Sequence, residues 1–377
     1  MGVVDTGLLK SEKDKPKLKR IDKDKLEQMY ITNPLVSNGV DSVVTLFMSA
    51  GYQMEYPSKK VENNWKDFFS TIKFNNFVED LFKHECIFGD GWGELVGNKS
   101  GTKIVDLVDI DPKTMDYMKD SQSNGKIIVD SQGNPEGYVQ KFEDTTRKPK
   151  DFTLDEIAHF TYKTVGSRWY GIGIIEPIYK TGLNKLNVQE GLAESVYRHG
   201  FPIIKAACGD LNHEPTPEKI QNILNKLKDI SYNSELALPY YTTVEILEAK
   251  RTAKLDVPLN YFIDQEVTGL GIPKAFVTGS GEDVNRSTLQ SQSYIMEKKF
   301  RAIHERFSNQ MTVEVFNRIN EKNDMGGVPK MTFNPLNVED LNSIADRLTK
   351  YAEKGLLDPS DASIQEYIRT IEDLPKE

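Results

Sequence analysis

The stretch that decides the fold is Ser167-Arg168-Trp169-Tyr170-Gly171-Ile172-Gly173-Ile174-Ile175-Glu176-Pro177-Ile178. It follows Asp155-Glu156-Ile157-Ala158-His159-Phe160, a run that predicts a short strand. Beyond it, apolar residues recur at helical spacing from Ile174 to His199, which predicts one amphipathic helix of about 39 Å. The sequence therefore predicts a strand, a glycine-bearing turn and a long helix in direct succession.

Helical spacing predicts several further elements on either side. Order in the chain is expected to begin near Asn33-Pro34 with a helix that ends at Gly51, and an aromatic-rich helix is predicted from Asn64 to about Gly89. A shorter helix is predicted from Pro258 to Gly269. The longest pattern runs from Ser287 to about Glu321, for roughly 50 Å. Its apolar stripe consists of Met296, Phe300, Ile303, Phe307, Met311, Val315 and Ile319.

Short runs separated by Gly, Asn, Pro and Ser predict strands of an antiparallel sheet. These runs are Glu94–Val96, Ile104–Leu107, Lys126–Val129 and Tyr138–Phe142. A compact β-α-β insert is predicted from a strand Ile203–Ala207, a helix Thr216–Ile230, and strands around Leu236–Leu238 and Val244–Leu247. A strand over Lys330–Asn334 and two helices, Val338–Lys354 and Pro359–Ile371, complete the chain. The predicted fold class is α+β.

The segment Lys274–Arg286, between the helix at 258–269 and the longest helix, is rich in Gly, Ser and Asp. This composition predicts an exposed loop. Gly279 and Gly281 would give it conformational freedom. The helices that flank the insert and this loop are too long to bury an apolar face within one compact unit, so we expect them to pack against other subunits, as a ring would allow.

Composition and charge exclude several classes of protein. The formal net charge is −9 and the pI is near 5.3, which is wrong for a protein that grips nucleic acid through many phosphate contacts but acceptable for one that lets DNA slide. Residues 10 to 25 carry eight Lys and Arg residues and are predicted to form a mobile, solvated arm. Two cysteines, Cys86 and Cys208, offer no disulfide framework. No apolar run is long enough to span a membrane, so no membrane association is expected.

Several segments, in the same order along the chain, resemble viral portal proteins. The stretch from Ser167 to Ile178 is similar to the portal signature of a strand, then Y-G-x-S-x-x-x-P, then a long helix, although Gly173 stands where the signature has Ser. Leu270-Gly271-Ile272-Pro273 resembles the segment before the portal tunnel loop. Ala352-Glu353-Lys354-Gly355-Leu356-Leu357-Asp358-Pro359 resembles a helix junction near portal C-termini. The resemblance covers residues 30 to 370.

The resemblance implies a portal-like fold divided into named regions. After the basic arm at 1–25, these are a wing at 26–173 with a return strand at 330–336, a first stem helix at 174–199, a small α/β clip at 200–250, a second stem helix region at 251–272, a tunnel loop at 273–286, a spine helix at 287–329 and a short helical crown at 337–377. The implied DNA-channel residues of the tunnel loop are Lys274, Thr278, Gly279, Ser280, Gly281, Glu282, Asp283, Asn285 and Arg286. Lys274 and Arg286 are the predicted phosphate contacts.

The resemblance also implies a structural protein of the virion that is not an enzyme and needs no cofactor. The expected assembly is a twelvefold homo-oligomeric ring at one capsid vertex, formed in the host cytoplasm. Double-stranded DNA would pass through its channel during packaging and ejection. The expected partners are the major capsid protein, the terminase or packaging motor and the head–tail adaptors.

Two other functions are compatible with the residues. Gly89-Asp90-Gly91-Trp92-Gly93 could cradle a phosphate, which suggests a soluble enzyme with an anion or nucleotide site at Phe88–Trp92. A turn between a helix and a strand accounts for the same residues. The five histidines are scattered and show no metal-ligand spacing. A capsid-associated minor protein that shares the fold without conducting DNA is the remaining alternative.

Overall fold

The computed structural model describes residues 20–120, 126–131, 133–142, 146–166, 168–200, 203–209, 214–228, 242–247, 256–278, 286–336 and 349–354, together with residues 361, 363 and 365. Its contacts divide the chain into two compact units, one formed by residues 1–182 and 264–377 and the other by residues 183–263. The mixed α+β class is confirmed.

The first unit begins with four helices and one strand: α1 (Lys23–Thr32), α2 (Pro34–Ser49), β1 (Tyr52–Glu55), α3 (Lys59–Thr71) and α4 (Phe74–Phe88). Eight short strands follow: β2 (Asp90–Gly97), β3 (Ile104–Ile110), β4 (Met115–Tyr117), β5 (Lys119–Asp120), β6 (Lys126–Ile127), β7 (Tyr138–Gln140), β8 (Lys150–Phe152) and β9 (Ile157–Thr161). Helix α5 (Ile175–Gly200) comes next, in agreement with the predicted long helix.

The second unit contains the strand β10 (Ile203–Cys208), the helix α6 (Pro217–Lys228) and the strand β11 (Thr242–Leu247). β10 and β11 pair antiparallel, from Ile203 opposite Leu247 to Cys208 opposite Thr242. The predicted strand, helix and last strand of the insert are therefore confirmed, whereas Leu236–Leu238 lies outside the described residues.

The chain ends with α7 (Asp256–Leu270), α8 (Lys274–Thr278), α9 (Arg286–Met311), a π-helical segment (Thr312–Phe316), α10 (Asn317–Asn323) and β12 (Lys330–Phe333). The helical run from Arg286 to Asn323 is continuous, which confirms the predicted longest helix, and the π segment inserts one wider turn in it. Of the two predicted C-terminal helices, residues 349–353 of the first and residues 363 and 365 of the second are described as helical.

The predicted aromatic-rich helix is wrong in its middle. The predicted single helix from Asn64 to Gly89 is two helices, because Ile72 adopts extended backbone angles and Lys73 leaves the helical region. The corner is stabilised by the rings of Phe69 and Phe74, whose centroids are 4.7 Å apart. Apolar residues at helical spacing continue on both sides of the corner, so the sequence pattern does not reveal it.

The predicted mobile arm is too long at its C-terminal end. Arg20 is bonded to Asp90, and Lys23 Nζ donates to the carbonyl oxygens of Pro112 and, at 3.0 Å, of Met115. Leu26 and Met29 of α1 are buried. Residues 20–25 are therefore part of the ordered fold, because their charges have buried partners, and residues 1–19 lie outside the described part of the chain.

The apolar stripe of α9 and its continuation is covered within the chain. Six of its seven predicted members are buried, and their partners include aromatic side chains of α2, α4, β9 and β12. The buried members are Met296, Phe300, Phe307, Met311, Val315 and Ile319. The expectation that this stripe needs a second subunit is therefore wrong: the wing-like sheet and helices of the same chain supply the apolar partners.

The helical run also covers both edges of the sheet β3-β2-β9. Thr161 at the β9 edge donates its N–H to Gln310 Oε1 at 2.9 Å and accepts from Gln310 Nε2 at 3.1 Å. Ile104 at the β3 edge makes the same pair of bonds with Asn323, both at 2.8 Å. Each side-chain amide thus replaces the hydrogen bonds that a further strand would make, and neither of these two edge positions is open to another chain.

β1 and β12 form a two-stranded ribbon that joins an early and a late segment of the first unit. β12 pairs antiparallel with β1, with Tyr52 opposite Phe333 and Glu55 opposite Lys330. The strand at 330–334 is thus confirmed, and its partner β1 was not predicted. The ring of Phe333 packs on Phe47 and stacks on His304 at 4.2 Å, so the ribbon lies over the aromatic core between α2 and α9.

Candidate functional site

Part of the predicted tunnel loop is helical. Lys274–Thr278 forms the short helix α8, and Arg286 is the first residue of α9. Burial of Val277 on one side of α8 favours a helical turn in place of an extended loop. The remaining predicted channel residues, Gly279, Ser280, Gly281, Glu282, Asp283 and Asn285, lie outside the described residues.

The start of this segment is held firmly by the first unit. Gly271 ends α7 with a φ of 74°, a value that favours glycine. Leu270 packs directly on Gly39 of α2, where a Cβ would lie 2.4 Å from Leu270 Cδ1. Asn38 Nδ2 donates to the carbonyl of Val277 at 2.6 Å. α8 is therefore fixed to α2, and the chain enters residues 279–285 from an ordered support.

The last residues of α7 share a buried polar contact with the N-terminal helices. Glu266 is buried, and its Oε1 accepts from Asn33 Nδ2 at 2.7 Å. The other end of the Asn33 amide, Oδ1, accepts from the N–H of Leu35 at 3.2 Å and so caps α2. This contact fixes the direction of α7 where it leads into the segment.

One of the two predicted phosphate contacts, Lys274, has an acidic neighbour. Lys274 Nζ lies 2.9 Å from Asp264 Oδ1, and both side chains are about half exposed. An exposed ion pair of this kind contributes about 0–1 kcal/mol to stability. Asp264 therefore partly neutralises the charge of Lys274 but does not fix the position of its side chain. Arg286 occupies the N-terminal residue of a helix, which leaves it at the far end of the same segment.

Outside this segment, the structure explains the glycines of the deciding stretch. A Cβ at Gly171 would lie 1.9 Å from the carbonyl oxygen of Gly89, and a Cβ at Gly173 would lie 2.7 Å from that of Cys86. The C-terminal end of α4 and the turn before α5 therefore touch through backbone atoms. In this chain the contact leaves no room for the Ser that the portal signature has at Gly173.

A buried carboxylate holds this contact together. Asp90 is fully buried, and it accepts from the N–H of Gly171 at 2.7 Å and from Arg20, while His159 Nε2 lies 3.0 Å from its Oδ1. Burial acts to raise the pKa of Asp90, but the hydrogen bond and charge of His159, the charge of Arg20 and the bond from Gly171 outweigh it, so the pKa is lowered from 3.8. Asp90 is therefore ionised at neutral pH and ties three distant segments to β2.

Aromatic side chains enclose this carboxylate. The ring of Trp92 stacks on His159 with centroids 3.8 Å apart, and the hydroxyl of Tyr117 lies 2.9 Å from His159 Nδ1. With Nε2–H donated to Asp90, Nδ1 of the neutral ring is an acceptor for the Tyr117 hydroxyl, which also lies 3.2 Å from the carbonyl oxygen of Trp169. The guanidinium of Arg20 lies 4.7 Å from the centre of the Tyr170 ring. Through these contacts the cluster acts as a structural anchor.

A second buried pair joins α4 to α9. Glu85 Oε2 lies 3.7 Å from Arg306 Nη2, and neither carboxylate oxygen of Glu85 has a hydrogen-bond partner among the described residues. Burial raises the pKa of Glu85 to about 8, although the nearby charge of Arg306 opposes the shift. Glu85 is therefore largely protonated at pH 7.

We expect Glu85→Gln to flatten the dependence of stability on pH. Since the folded-state pKa of Glu85 is raised, its contribution is fully present below about pH 4.5 and is lost as the pH rises through about 8. The glutamine keeps the neutral form, so the variant should match the parent near pH 5 and unfold at higher urea at pH 8. Urea titrations at both values measure this, and a parallel decline of both proteins would contradict it.

The alternative anion site at Phe88–Trp92 is contradicted by the structure. Asp90 to Gly93 belong to the strand β2, and α4 fills the space beside them, since a Cβ at Gly91 would lie 2.8 Å from the carbonyl oxygen of Leu81. The buried Asp90 carboxylate would also repel an anion. The reading as a turn is confirmed, with Gly89 at a φ of 88° between α4 and β2.

Within the described ranges, no group of three or more His, Cys, Asp or Glu side chains is arranged to hold a metal ion. None of the helices in the described part of the chain combines the length and apolar character that a bilayer crossing needs.

The fold described above is shared with known proteins. A family model described as the portal protein of Mu bacteriophage matches residues 24–370. A chain in the virion of a native gene transfer agent particle superposes with a TM-score of 0.62 at 12% identity, over 94% of each chain. A chain from the neck of a native gene transfer agent particle with C12 symmetry gives 0.61 at 12% identity, over 95% of this chain and 94% of that one.

A further match has a crystal structure. An HK97-family phage portal protein from Corynebacterium diphtheriae gives a TM-score of 0.50 at 12% identity, over 85% of this chain and 97% of that one. At these identities the structural matches show the fold alone. No curated protein matches the chain by sequence.

Proposed function

This chain belongs to the portal protein family of bacteriophage Mu, and on that premise we propose that it is the repeating subunit of a ring through which viral DNA passes. Portal proteins are structural, non-enzymatic components of the virion, and the family forms an oligomeric ring in the virion neck. The observation that carries the proposal is the match of the family model to residues 24–370, which covers nearly the whole chain.

The proposed ring has twelve copies at one capsid vertex and serves DNA packaging and ejection. The twelvefold number is supported by a native gene transfer agent neck that was computed with C12 symmetry and whose chain has a similar fold. The proposed partners are the major capsid protein, the terminase or packaging motor and the head–tail adaptors. In this proposal residues 26–173 with 330–336 form the wing, 174–199 and 251–272 the stem, 200–250 the clip, 287–329 the spine and 337–377 the crown.

The segment at 273–286 is proposed to face the channel. Its support is the ordered pair of ends: α8 is fixed on α2, and Arg286 begins a helix of 26 residues. Short polar residues between two fixed ends can follow a moving duplex without unfolding the subunit. Lys274 and Arg286 are the proposed phosphate contacts. The charge of Lys274 is partly neutralised by Asp264.

Replacing residues 279–285 with a two-residue turn is the experiment that tests the channel role. The described contacts that hold α8 and α9 in the first unit are made by other residues, so we expect ring assembly to be retained and DNA-filled particles to be almost completely lost. Particle counts by electron microscopy and nuclease-protected DNA measure the result. As a control, replacing the exposed turn at residues 98–102 with a two-residue turn should leave packaging unchanged. Normal DNA content in the 279–285 variant would contradict the channel role.

The contact surface between subunits is proposed at the N-terminal third of α9. The buried stripe of this helix has its partners within the chain, but Tyr294 and Ile295 remain 60% and 57% exposed on the other side. Two adjacent large apolar side chains at this exposure are typical of an interaction surface.

We expect Ile295→Glu to weaken ring assembly strongly, because a carboxylate would enter an apolar subunit contact. Val313→Glu is the matched control, since Val313 lies on the same helical run with the same exposure of 57% but has no exposed apolar neighbour in sequence. Mass photometry of the purified proteins measures the ring fraction. Equal ring fractions for both variants would show that the contact lies elsewhere.

A further inference from the structure

The longest helical run contains one residue more than its apolar stripe needs in a regular α-helix. From Met296 to Ile319 the stripe makes six steps over 23 residues, whereas six α-helical turns take about 22. The last three steps, from Phe307 to Ile319, are all of four residues. Because an α-helix turns by about 100° per residue, these three steps would carry Ile319 about 120° around the axis. Ile319 is nevertheless fully buried on the core side.

The π segment Thr312–Phe316 lies within these long steps and accommodates the extra residue. The N–H of Asn317 donates to the carbonyl of Thr312, five residues back in place of the α-helical four. At the start of the segment, the hydroxyl of Thr312 donates to the carbonyl of Ser308 at 2.9 Å. At its end, Val315 and Phe316 are both buried. The wider turn therefore keeps the apolar stripe on the core side before and after the segment.

Two polar side chains, one on each side of the π segment, bond the same strand. Gln310, before the segment, bonds both backbone groups of Thr161. Arg318, after it, donates from Nη1 to the carbonyl oxygen of Ile157 at 2.7 Å, and its Nη2 donates to Glu314. The two partners are four residues apart on β9, about 13 Å. The two side chains are eight residues apart on the helix, a rise of about 12 Å, so their spacing matches the strand.

The angle between these two side chains depends on the wider turn. Eight residues of regular α-helix turn by about 800°, which would leave Gln310 and Arg318 about 80° apart around the axis. With one residue accommodated in the π segment, the same stretch turns by about 700°, and the two side chains lie about 20° apart. This second arrangement directs both at one strand edge. The helical run is thus held in one rotational setting against β9.

We propose that Gln310 and Arg318 are positioning residues that fix the rotation of α9 about its axis, with the π segment holding the one residue that a regular helix has no place for in this setting. Because α9 is a continuous helix of 26 residues, its rotation at Gln310 determines the direction in which Tyr294 and Ile295 face. The setting itself is a property of one subunit. Its consequence for the contact between subunits rests on the proposed function.

Single-residue deletions in the full-length chain test the proposal. Val313 is an exposed residue of the π segment, and its deletion removes the extra residue, so the run can become a regular α-helix with both bonds to β9 in place. Ala302 is an exposed residue of the regular part of α9, and its deletion is the matched control. It turns the preceding residues by about 100° and takes Met296 and Phe300 from the core. We expect the π-segment deletion to unfold at a urea concentration close to that of the parent, and the control deletion to unfold at a much lower one.

Spin-label distances measure the rotation directly. The labels are attached through Lys298→Cys on α9 and Lys99→Cys in the exposed turn after β2, in a Cys208→Ser background that leaves one buried cysteine. Labelled chains are diluted with unlabelled ones, so that only distances within one subunit are measured. The π-segment deletion should leave the distance as in the parent. The control deletion should give no folded protein or move the label by up to about 9 Å, the chord of a 100° turn at the outer radius of a helix.

Substitution of the two positioning residues provides a second measurement. Gln310→Ala with Arg318→Ala should broaden the distance distribution, because α9 and α10 lose their side-chain bonds to β9. Arg318→Lys alone keeps a donor for Ile157 and should leave the distribution narrow. The proposal would be overturned by a Val313 deletion that unfolds or shifts the distance as far as the control deletion does, and equally by an unchanged distribution in the double variant. Since all distances lie within one subunit, these results do not depend on whether the chain forms a ring.

Discussion

The Gly171→Ala variant is expected to lose at least about 3 kcal/mol of folding free energy and to accumulate little folded protein. Its Cβ would lie 1.9 Å from the carbonyl oxygen of Gly89, and the atom that blocks it is backbone, which cannot rotate away. Gly89 is itself fixed by a φ of 88° and by the end of α4. Soluble yield and urea unfolding followed by circular dichroism measure the loss.

Gly191→Ala is the matched control for this variant. Gly191 lies within α5, and a Cβ there meets no atom within 4 Å. Alanine in a helix interior is favoured over glycine by about 1 kcal/mol, so this variant should be as stable as the parent or slightly more stable. If the two alanine variants unfold at the same urea concentration, the backbone contact between the two glycine-bearing turns is not essential to the fold.

The Asp90→Ala variant is expected to lose about 3–5 kcal/mol, because it leaves the partners of a buried carboxylate without their acceptor. Those partners are Arg20, His159 and the N–H of Gly171. Glu94→Ala on the same strand removes an exposed pair with Lys150 and should cost about 0–1 kcal/mol. Urea unfolding of both variants at pH 7 compares the two losses.

The loss in Asp90→Ala should depend on pH with a defined sign. Because the folded-state pKa of Asp90 is lowered from 3.8, its contribution is present above that value and is lost as the pH falls through the folded-state pKa. The difference between parent and variant should therefore be constant from pH 5 to 7 and shrink at lower pH. A difference that persists unchanged well below pH 3.8 would show that packing, and not the charge, provides the stability.

The long helices and most strands of the fold follow from local sequence pattern. Periodicity predicted α5 and the run from Arg286 to Asn323 because each keeps one apolar stripe for many turns. The corner at Ile72 was missed because apolar residues continue across it. β1 was missed because its partner β12 is nearly 280 residues away, so no local signal marks it.

The site was less predictable than the fold. Gly and Ser indicated a loop after Pro273, but the five-residue α8 is stabilised by Val277 and Asn38, a contact between distant segments. The Asp90 anchor brings together residues from four separate segments, and its His159 appeared in the sequence as one of several scattered histidines. The glycines at 171 and 173 were recognised as a motif, but their physical reason is visible only where they touch α4.

The length of the longest helix was one reason to expect a ring, and that reason is wrong. A helix about 50 Å long does not require a second subunit when the same chain supplies a sheet and two helices to cover its stripe. The exposed pair Tyr294 and Ile295 is a smaller surface than the full stripe, and it lies close in sequence to the segment proposed to face the channel. Family membership and this exposed surface support the proposed ring.

A cryo-electron microscopy reconstruction of the assembled protein, with a gold label on Ser280→Cys in a Cys208→Ser background, shows whether the protein forms a ring and where residue 280 lies in it. The account predicts closed rings of twelve copies of 42.8 kDa, about 514 kDa in all, with the label at the wall of the axial hole. Monomers that do not assemble under any packaging-competent condition, or rings with the label on the outer rim, would contradict it.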